Sequence, residues 1–232
     1  MKRSDVNRLL SDAKEFFSSM GFRLPAWAHW GPADWKGRSD TEEIVNAALG
    51  WDVTDFGSGE YEKRGLLLFA IRNGLSSGRP AAANLAYSKP YAEKIMIVDE
   101  NQETPFHFHW NKMEDIINRG GGNLVLELFM ADGDEEFSDA PVTVSIDGII
   151  RTVPAGGTVV LHPGESITLY QNLYHRFYGE QGRGRVLVGE VSTVNDDSSD
   201  NRFKEAGGRY PALIEDEEPL HLLVSDYAAY LD

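Results

Sequence analysis

Six histidines occur in this chain of 232 residues, and two of them stand one residue apart in "PFHFHWNKMED", residues 105–115. In an extended strand alternate side chains go to opposite faces, so His107 and His109 share one face while Phe106, Phe108 and Trp110 take the other. Neutral imidazoles and carboxylates converging from a rigid scaffold are ligands for a divalent metal. The pair alone fits equally well with two solvent-facing histidines on an amphipathic strand. Glu114 moves the balance toward a metal. If the chain turns at Asn111–Lys112 and returns antiparallel, Glu114 comes back beside His109, and glycines 120–122 permit a second sharp turn. The fourth ligand has to come from further along. His175, in "PGESITLYQNLYHRFYG", is the candidate, again on a strand between aromatics. His29 lies in a Trp-rich loop, His162 precedes Pro-Gly at a turn, and His221 follows Pro219 closely, which makes them weaker choices.

Composition limits what such a site is for. There is no cysteine, so disulfides and thiolate ligation are excluded and any metal is held by nitrogen and oxygen. A formal charge of -15 and a pI near 4.8 argue against a nucleic-acid partner or an anionic membrane surface. No segment approaches the roughly 20 apolar residues that span a bilayer, and "MKRSDVNRLL" has no apolar run of signal length. A soluble, cytoplasmic protein is the expectation. With 41% hydrophobic residues the chain can bury a large core, and its length suits one domain.

The elements that must carry these residues are mostly strands. A first helix is predicted from a Ser4 N-cap, with Val6, Leu9, Leu10, Ala13, Phe16, Phe17 and Met20 at helical spacing until Gly21. A second is predicted in "SDTEEIVNAALG", capped by Ser39 or Asp40 and closed by Gly50, with the aromatic loop "LPAWAHWGPADW" between them. From about residue 51 the segments "GLLLFAIRNG", "EKIMIV", "FHFHW", "NLVLELFMA", "VTVSI", "IIRTV", "TVVLH", "SITLYQ" and "RVLVGEVSTV" are short, β-rich and separated by turn formers. Asp147-Gly148 suits a type I′ hairpin turn. The polar stretch after residue 194 reads as a long loop folded back over the body, because Phe203, Tyr210, Leu213 and Ile214 are spread through it.

His107-x-His109-x4-Glu114-x6-Gly121, with a strand-borne His175 after "PGESITL", resembles the two metal-binding motifs of the cupin superfamily. The second motif departs from the pattern, since Pro163 and Gly164 are adjacent and no Asn stands four positions after His175. Within the cupins, nearly the whole chain resembles the D-lyxose ketol-isomerase family, through "MKRSDVNRLLSDAKEFF", "LPAWAHWGPADW", "TPFHFHWNKMEDIINRGGG" and "GGRYPALIEDEEP". The resemblance implies one mainly β domain over 1–232, a double-stranded β-helix or jelly-roll barrel. Residues of about 1–50 form a helical segment packed on it, and about 195–220 form a loop over its mouth. It implies an aldose–ketose isomerase that interconverts D-lyxose with D-xylulose, and D-mannose with D-fructose. Mn²⁺, or another divalent metal such as Co²⁺, would be held by His107, His109, Glu114 and His175. A free monosaccharide is the implied substrate, and a homodimer the implied assembly.

Such a reaction moves a hydrogen between C1 and C2, so a group that handles protons is also needed. Lys94 shares a strand face with Met96 and Val98, which points it inward, and the resemblance places it in the site. Glu205, in "NRFKEAGGRYP", is the preferred base among several loop carboxylates. Arg209 and Tyr210 are candidates to hold the sugar, as is Trp110 near its strand end, whereas Phe106 and Phe108 read as barrel wall. Three other readings stay open. A non-haem iron oxygenase needs free positions that a third histidine would fill. A cupin phosphosugar isomerase needs a phosphate-binding cluster that is not evident. A non-catalytic sugar-binding cupin needs no base.

Overall fold

The computed structural model describes residues 1–75, 88–194, 196, 199–205, 207 and 213–231. Its β-rich segments become thirteen strands: β1 (Gly50–Thr54), β2 (Leu66–Arg72), β3 (Tyr91–Val98), β4 (Glu103–Phe108), β5 (Glu114–Gly121), β6 (Leu124–Met130) and β7 (Val142–Ile146). The others are β8 (Ile149–Val153), β9 (Gly157–Leu161), β10 (Ser166–Leu169), β11 (Leu173–Gly179), β12 (Val186–Thr193) and β13 (Arg202–Phe203). They form an eight-stranded sheet, β1-β2-β3-β12-β5-β10-β7-β8, and a five-stranded sheet, β13-β4-β11-β6-β9. Neighbouring strands in both sheets are antiparallel. Apolar residues from both sheets share one core, including Met96, Ile116, Leu126, Leu128, Phe177 and Val188. This is the double-stranded β-helix expected from the sequence.

The Asp147-Gly148 turn has φ of 49° and 81° and joins β7 to β8 with Ile146 opposite Ile149, as a type I′ hairpin requires. At the end of β5, Gly121 has φ of 88°, and a Cβ there would run into the Arg185 carbonyl. Only glycine fits that corner.

The edge formed by β1, β2 and β3 is buried on both faces. Leu66, Leu68, Ala70, Met96 and Val98 face the barrel core, while Leu67, Phe69, Ile95 and Ile97 face outward under α1 (Arg3–Ser19). That helix lays Val6, Leu10, Ala13 and Phe17 on the sheet, the spacing of one helical face. Trp51 stacks on Phe17 with ring planes 3° apart. Among the described residues no helix is long and apolar enough to cross a membrane.

Two helix boundaries differ from the sequence reading. Ser4 is not the cap of α1: the helix begins at Arg3, and Ser4 instead donates its amide and its hydroxyl to Asp216. The reason is Arg3, a fully buried guanidinium held by Asp226 and Glu215 at 2.7–3.0 Å. The aromatic loop carries a short helix of its own, α2 (Pro32–Trp35). The second predicted helix shortens to α3 (Glu42–Asn46), which follows Thr41, while Gly50 opens β1 instead of closing a helix. The chain ends in α4 (Tyr227–Tyr230). Replacing Arg3 with Met leaves the largely buried Asp226 without its cation. Removing one partner of a buried pair costs about 3 kcal/mol at the low end, which suits a clasp whose Glu215 arm is half exposed. At 2–4 °C per kcal/mol for a chain of this size, the melting temperature should fall by roughly 10 °C. A thermal scan that superimposes on the parent would dismiss the clasp as a source of stability.

Candidate metal centre and active site

His107 lies on β4 directly opposite His175 on β11, so the two imidazoles start from paired positions in one sheet. Their ring centroids are 4.2 Å apart. His109 follows just past the end of β4. Glu114 does come beside His109, but not by pairing with β4 as the turn at Asn111–Lys112 suggested. The chain crosses to the opposite sheet, and Glu114 begins β5 there, facing the histidines across the barrel. Its Oε1 lies 3.1 Å from His175 Nε2 and 3.5 Å from His109 Nε2. One ligand atom from each of the four residues lies within 4.8 Å of all the others, and all four side chains are buried. This cluster could hold a divalent metal ion.

The second ring nitrogens show why these histidines are suited to a ligand role. His107 Nδ1 sits 2.9 Å from the Pro105 carbonyl, His109 Nδ1 2.9 Å from the Asp200 carbonyl, and His175 Nδ1 3.0 Å from the Leu173 carbonyl. A carbonyl only accepts, so each Nδ1 carries the proton and each Nε2 keeps a bare lone pair. The Nε2 atoms of His109 and His175 are buried and have no hydrogen-bond partner among the described residues. Buried acceptors are rarely left so, and a cation among them would supply the missing partner. Burial, and then the imidazoles of His175 and His109, hold His107 well below the ordinary histidine range, in its neutral, ligating form. Burial and then Lys112 lower the pKa of His109 as well.

Glu114 shares its charge with a second group. Burial would raise its pKa, but Lys112 and His109 outweigh burial and leave it well below the usual carboxylate range. Lys112 Nζ is 2.6 Å from Glu114 Oε2 and 3.0 Å from Glu190 Oε1. Lys94 Nζ is 3.3 Å from the same Glu190 oxygen, and the Ser192 hydroxyl donates to it at 3.2 Å. For Glu190 too, burial pulls upward while Lys112 and Lys94 pull down, and the carboxyl ends below its ordinary range. Two carboxylates and two ammoniums thus alternate along one buried row, Glu114–Lys112–Glu190–Lys94.

These groups line a partly open cavity of about 60 Å³. Asp52, Thr54, Thr104, Asn201 and Phe203 complete its polar and aromatic wall. Thr104 joins it because the β4–β11 register shifts between His175 and Phe177, which brings a residue three before His107 onto the same face.

Lys94 therefore points inward as its alternation with Met96 and Val98 predicted. Glu205 does not reach the cavity. Its side chain is 68% exposed and binds Arg64 at 2.8 Å, since that surface guanidinium offers it a partner and Phe203 takes the inward position of the segment. Trp110 also stays outside. Alternation from His109 turns it away, it packs edge-on against Phe108, and its indole N–H donates to Glu135. Phe106 and Phe108 pack in the barrel wall against Phe129, Phe137 and Tyr174. Arg209 and Tyr210 lie outside the described residues. Sequence reasoning missed Glu190, although "VLVGEVST" carried the signal used for Lys94: one charge on the face shared by Val186 and Val188. It also missed Lys112, which in sequence is an ordinary turn lysine.

The family model for D-lyxose isomerase matches residues 1–227. The chain belongs to the D-lyxose isomerase family. It is 48% identical over 233 residues to the D-lyxose/D-mannose isomerase of Serratia proteamaculans, covering all of both chains. Among solved structures it is similar to the L-ribose isomerase of Cellulomonas parahominis crystallised with L-ribose, with TM-score 0.58 and 19% identity over 92% of this chain and 98% of that one. An Acinetobacter L-ribose isomerase in complex with L-ribose gives TM-score 0.59 at 15% identity over the same shares. At those identities the likeness is one of fold.

Proposed function

We propose that this member of the D-lyxose isomerase family is a metal-dependent aldose–ketose isomerase acting on free monosaccharides. It interconverts D-lyxose with D-xylulose, and D-mannose with D-fructose. The observation that carries the reading is the convergence of three histidines, each with Nδ1 committed to a backbone carbonyl, on Glu114, beside the buried Glu190–Lys94 pair. The 48% identical relative, named for both sugars, supports the substrate class.

His107, His109, Glu114 and His175 hold the metal, and a nitrogen–oxygen donor set of this kind suits Mn²⁺ or Co²⁺. When bound, the ion supplies Lewis acidity and a template for the sugar's vicinal oxygens. Glu190, rather than the outward Glu205, carries the proton between C1 and C2. It is ionised, so it is ready to accept a proton, and it sits in the cavity wall where an acid–base group has to lie. Lys94 balances its charge and donates toward the sugar oxygens. Phe203, stacked 5.3 Å from His107, and Asn201 keep water from the reacting carbons. The homodimer and the cytoplasmic setting implied by the family resemblance are part of the same proposal.

Two measurements test it. Conversion of D-lyxose should cease on chelation and return with Mn²⁺, and failure to convert any free aldose would reduce the chain to a binding protein. In deuterated water, D-xylulose should acquire solvent deuterium at C1. Product free of deuterium, even when turnover is slowed so that the carried proton has time to exchange, would replace the Glu190 shuttle with a hydride shift.

A further inference from the structure

Asp200 stands at the crossing of three things: the segment after β12, the turn between β4 and β5, and the metal cluster. Its carboxylate is buried and fully used. Oδ1 accepts from the Asn111 amide and from Asn111 Nδ2, both at 2.9 Å, and Oδ2 accepts from the Lys112 amide at 2.8 Å. Its own carbonyl accepts the His109 Nδ1 proton at 2.9 Å. The other two ligand histidines use carbonyls two residues away on their own strands, Pro105 and Leu173, which the strands fix by themselves. The acceptor for His109 is 91 residues distant in sequence and belongs to no regular strand. Something else has to hold it in place, and the side chain of the same residue does so.

We infer that Asp200 is a positioning residue for the metal centre, whose carboxylate clamps its own carbonyl against His109 and so couples the fold-back of residues 199–205 to metal affinity. The inference rests on the proposed reading of the four ligands. The coupling has two routes. Through the carbonyl, Asp200 fixes the tautomer and ring plane of His109. Through the Lys112 amide it fixes the residue whose ammonium bridges Glu114 and Glu190. Nearby, β13 pairs with β4 and brings Phe203 onto His107, so 199–205 touches two of the three imidazoles. Coupling of this kind is reciprocal: a segment that tightens the metal is itself held by the metal.

The test uses Asp200→Ala and the isosteric Asp200→Asn, with Mn²⁺ affinity measured by competition against a chromophoric chelator. Losing such an outer partner weakens a metal by roughly 10- to 100-fold. Asp200→Ala should show that loss. Asp200→Asn, which keeps an acceptor for Asn111 but turns an N–H toward the Lys112 amide, should lie between it and the parent. Amide hydrogen exchange at 199–205 in the parent should slow on adding Mn²⁺ and respond less in Asp200→Asn. If Asp200→Ala does not fold, the asparagine variant alone decides. Parent-like Mn²⁺ affinity in the folded variants, or exchange at 199–205 indifferent to the metal, overturns the positioning role. A parent protein that binds no Mn²⁺ at all overturns the metal centre itself, so the two failures are told apart.

Discussion

Replacing His175 with Ala is expected to remove both metal binding and sugar isomerisation while the barrel stays folded. His175 is one of two candidate ligands whose Nε2 has no hydrogen-bond partner among the described residues, and it lies nearer the Glu114 carboxylate than His109 does. Without it the remaining donors are His107 and His109 at the β4 end and Glu114 on β5 in the opposite sheet, and an ion would lose one of its four donors. Lewis-acid stabilisation of developing charge is worth several kcal/mol. Taking about 4 kcal/mol, turnover falls by roughly 10³-fold. The control is His162→Ala: that side chain is exposed and its ring hydrogen-bonds Asn123, away from the cluster, so metal content and rate should stay at parent values. Metal content after chelation and reloading, measured beside the rate of D-lyxose conversion, checks the pair. A His175→Ala protein that reloads one Mn²⁺ per chain and keeps its rate within tenfold would disprove the four-ligand centre.

Glu190→Gln should separate proton transfer from metal binding. The amide keeps the shape and one acceptor of the carboxylate, and Lys112 keeps Glu114, so the ligands stay where they are. What is lost is the group that takes and returns a proton, an effect of roughly 10²- to 10⁴-fold in kcat. KM and Mn²⁺ affinity should change far less. Glu205→Gln is the companion: its carboxylate lies on the surface against Arg64, and kcat should stay within about twofold, as for surface changes away from a site. The opposite ranking, with Glu205→Gln the inactive variant, would return the base to the loop and mean that 205 moves inward during turnover.

The parts of this site that were legible in the sequence are those fixed by local periodicity. His107 and His109 alternate with aromatics, Lys94 with Met96 and Val98, and Asp147-Gly148 sets its own turn, so each side chain's direction follows from neighbours within a few residues. Glu205 was assigned by composition, in a loop where nothing local fixes a direction, and an ion pair with Arg64 drew it outward. Trp110 was assigned by its position near a strand end, against the alternation that already turned it from the histidines, and its indole binds Glu135. Lys112 and Asp200 were invisible for another reason. Their roles come from contacts 78 and 88 residues apart, Lys112 to Glu190 and Lys112 to Asp200, and no window of sequence contains both partners. The start of α1 failed similarly, because its Arg3 is held by Glu215 and Asp226 at the other end of the chain.

Strand β3 has consequences for any attempt to change this protein's sugar preference. Ile95 and Ile97 are wedged under α1 while Lys94 and Met96 look into the cavity, so sliding the strand by a single position would exchange the two sets completely. Both errors are ruinous, an ammonium beneath a helix and an isoleucine in place of a charge. The strand thus has one tenable alignment, and misfolded intermediates close to the native one are disfavoured. An engineer can therefore vary the inward Leu66, Leu68 and Met96 to reshape the pocket with the outer packing as a fixed ruler, whereas changes beneath α1 put that alignment itself at risk.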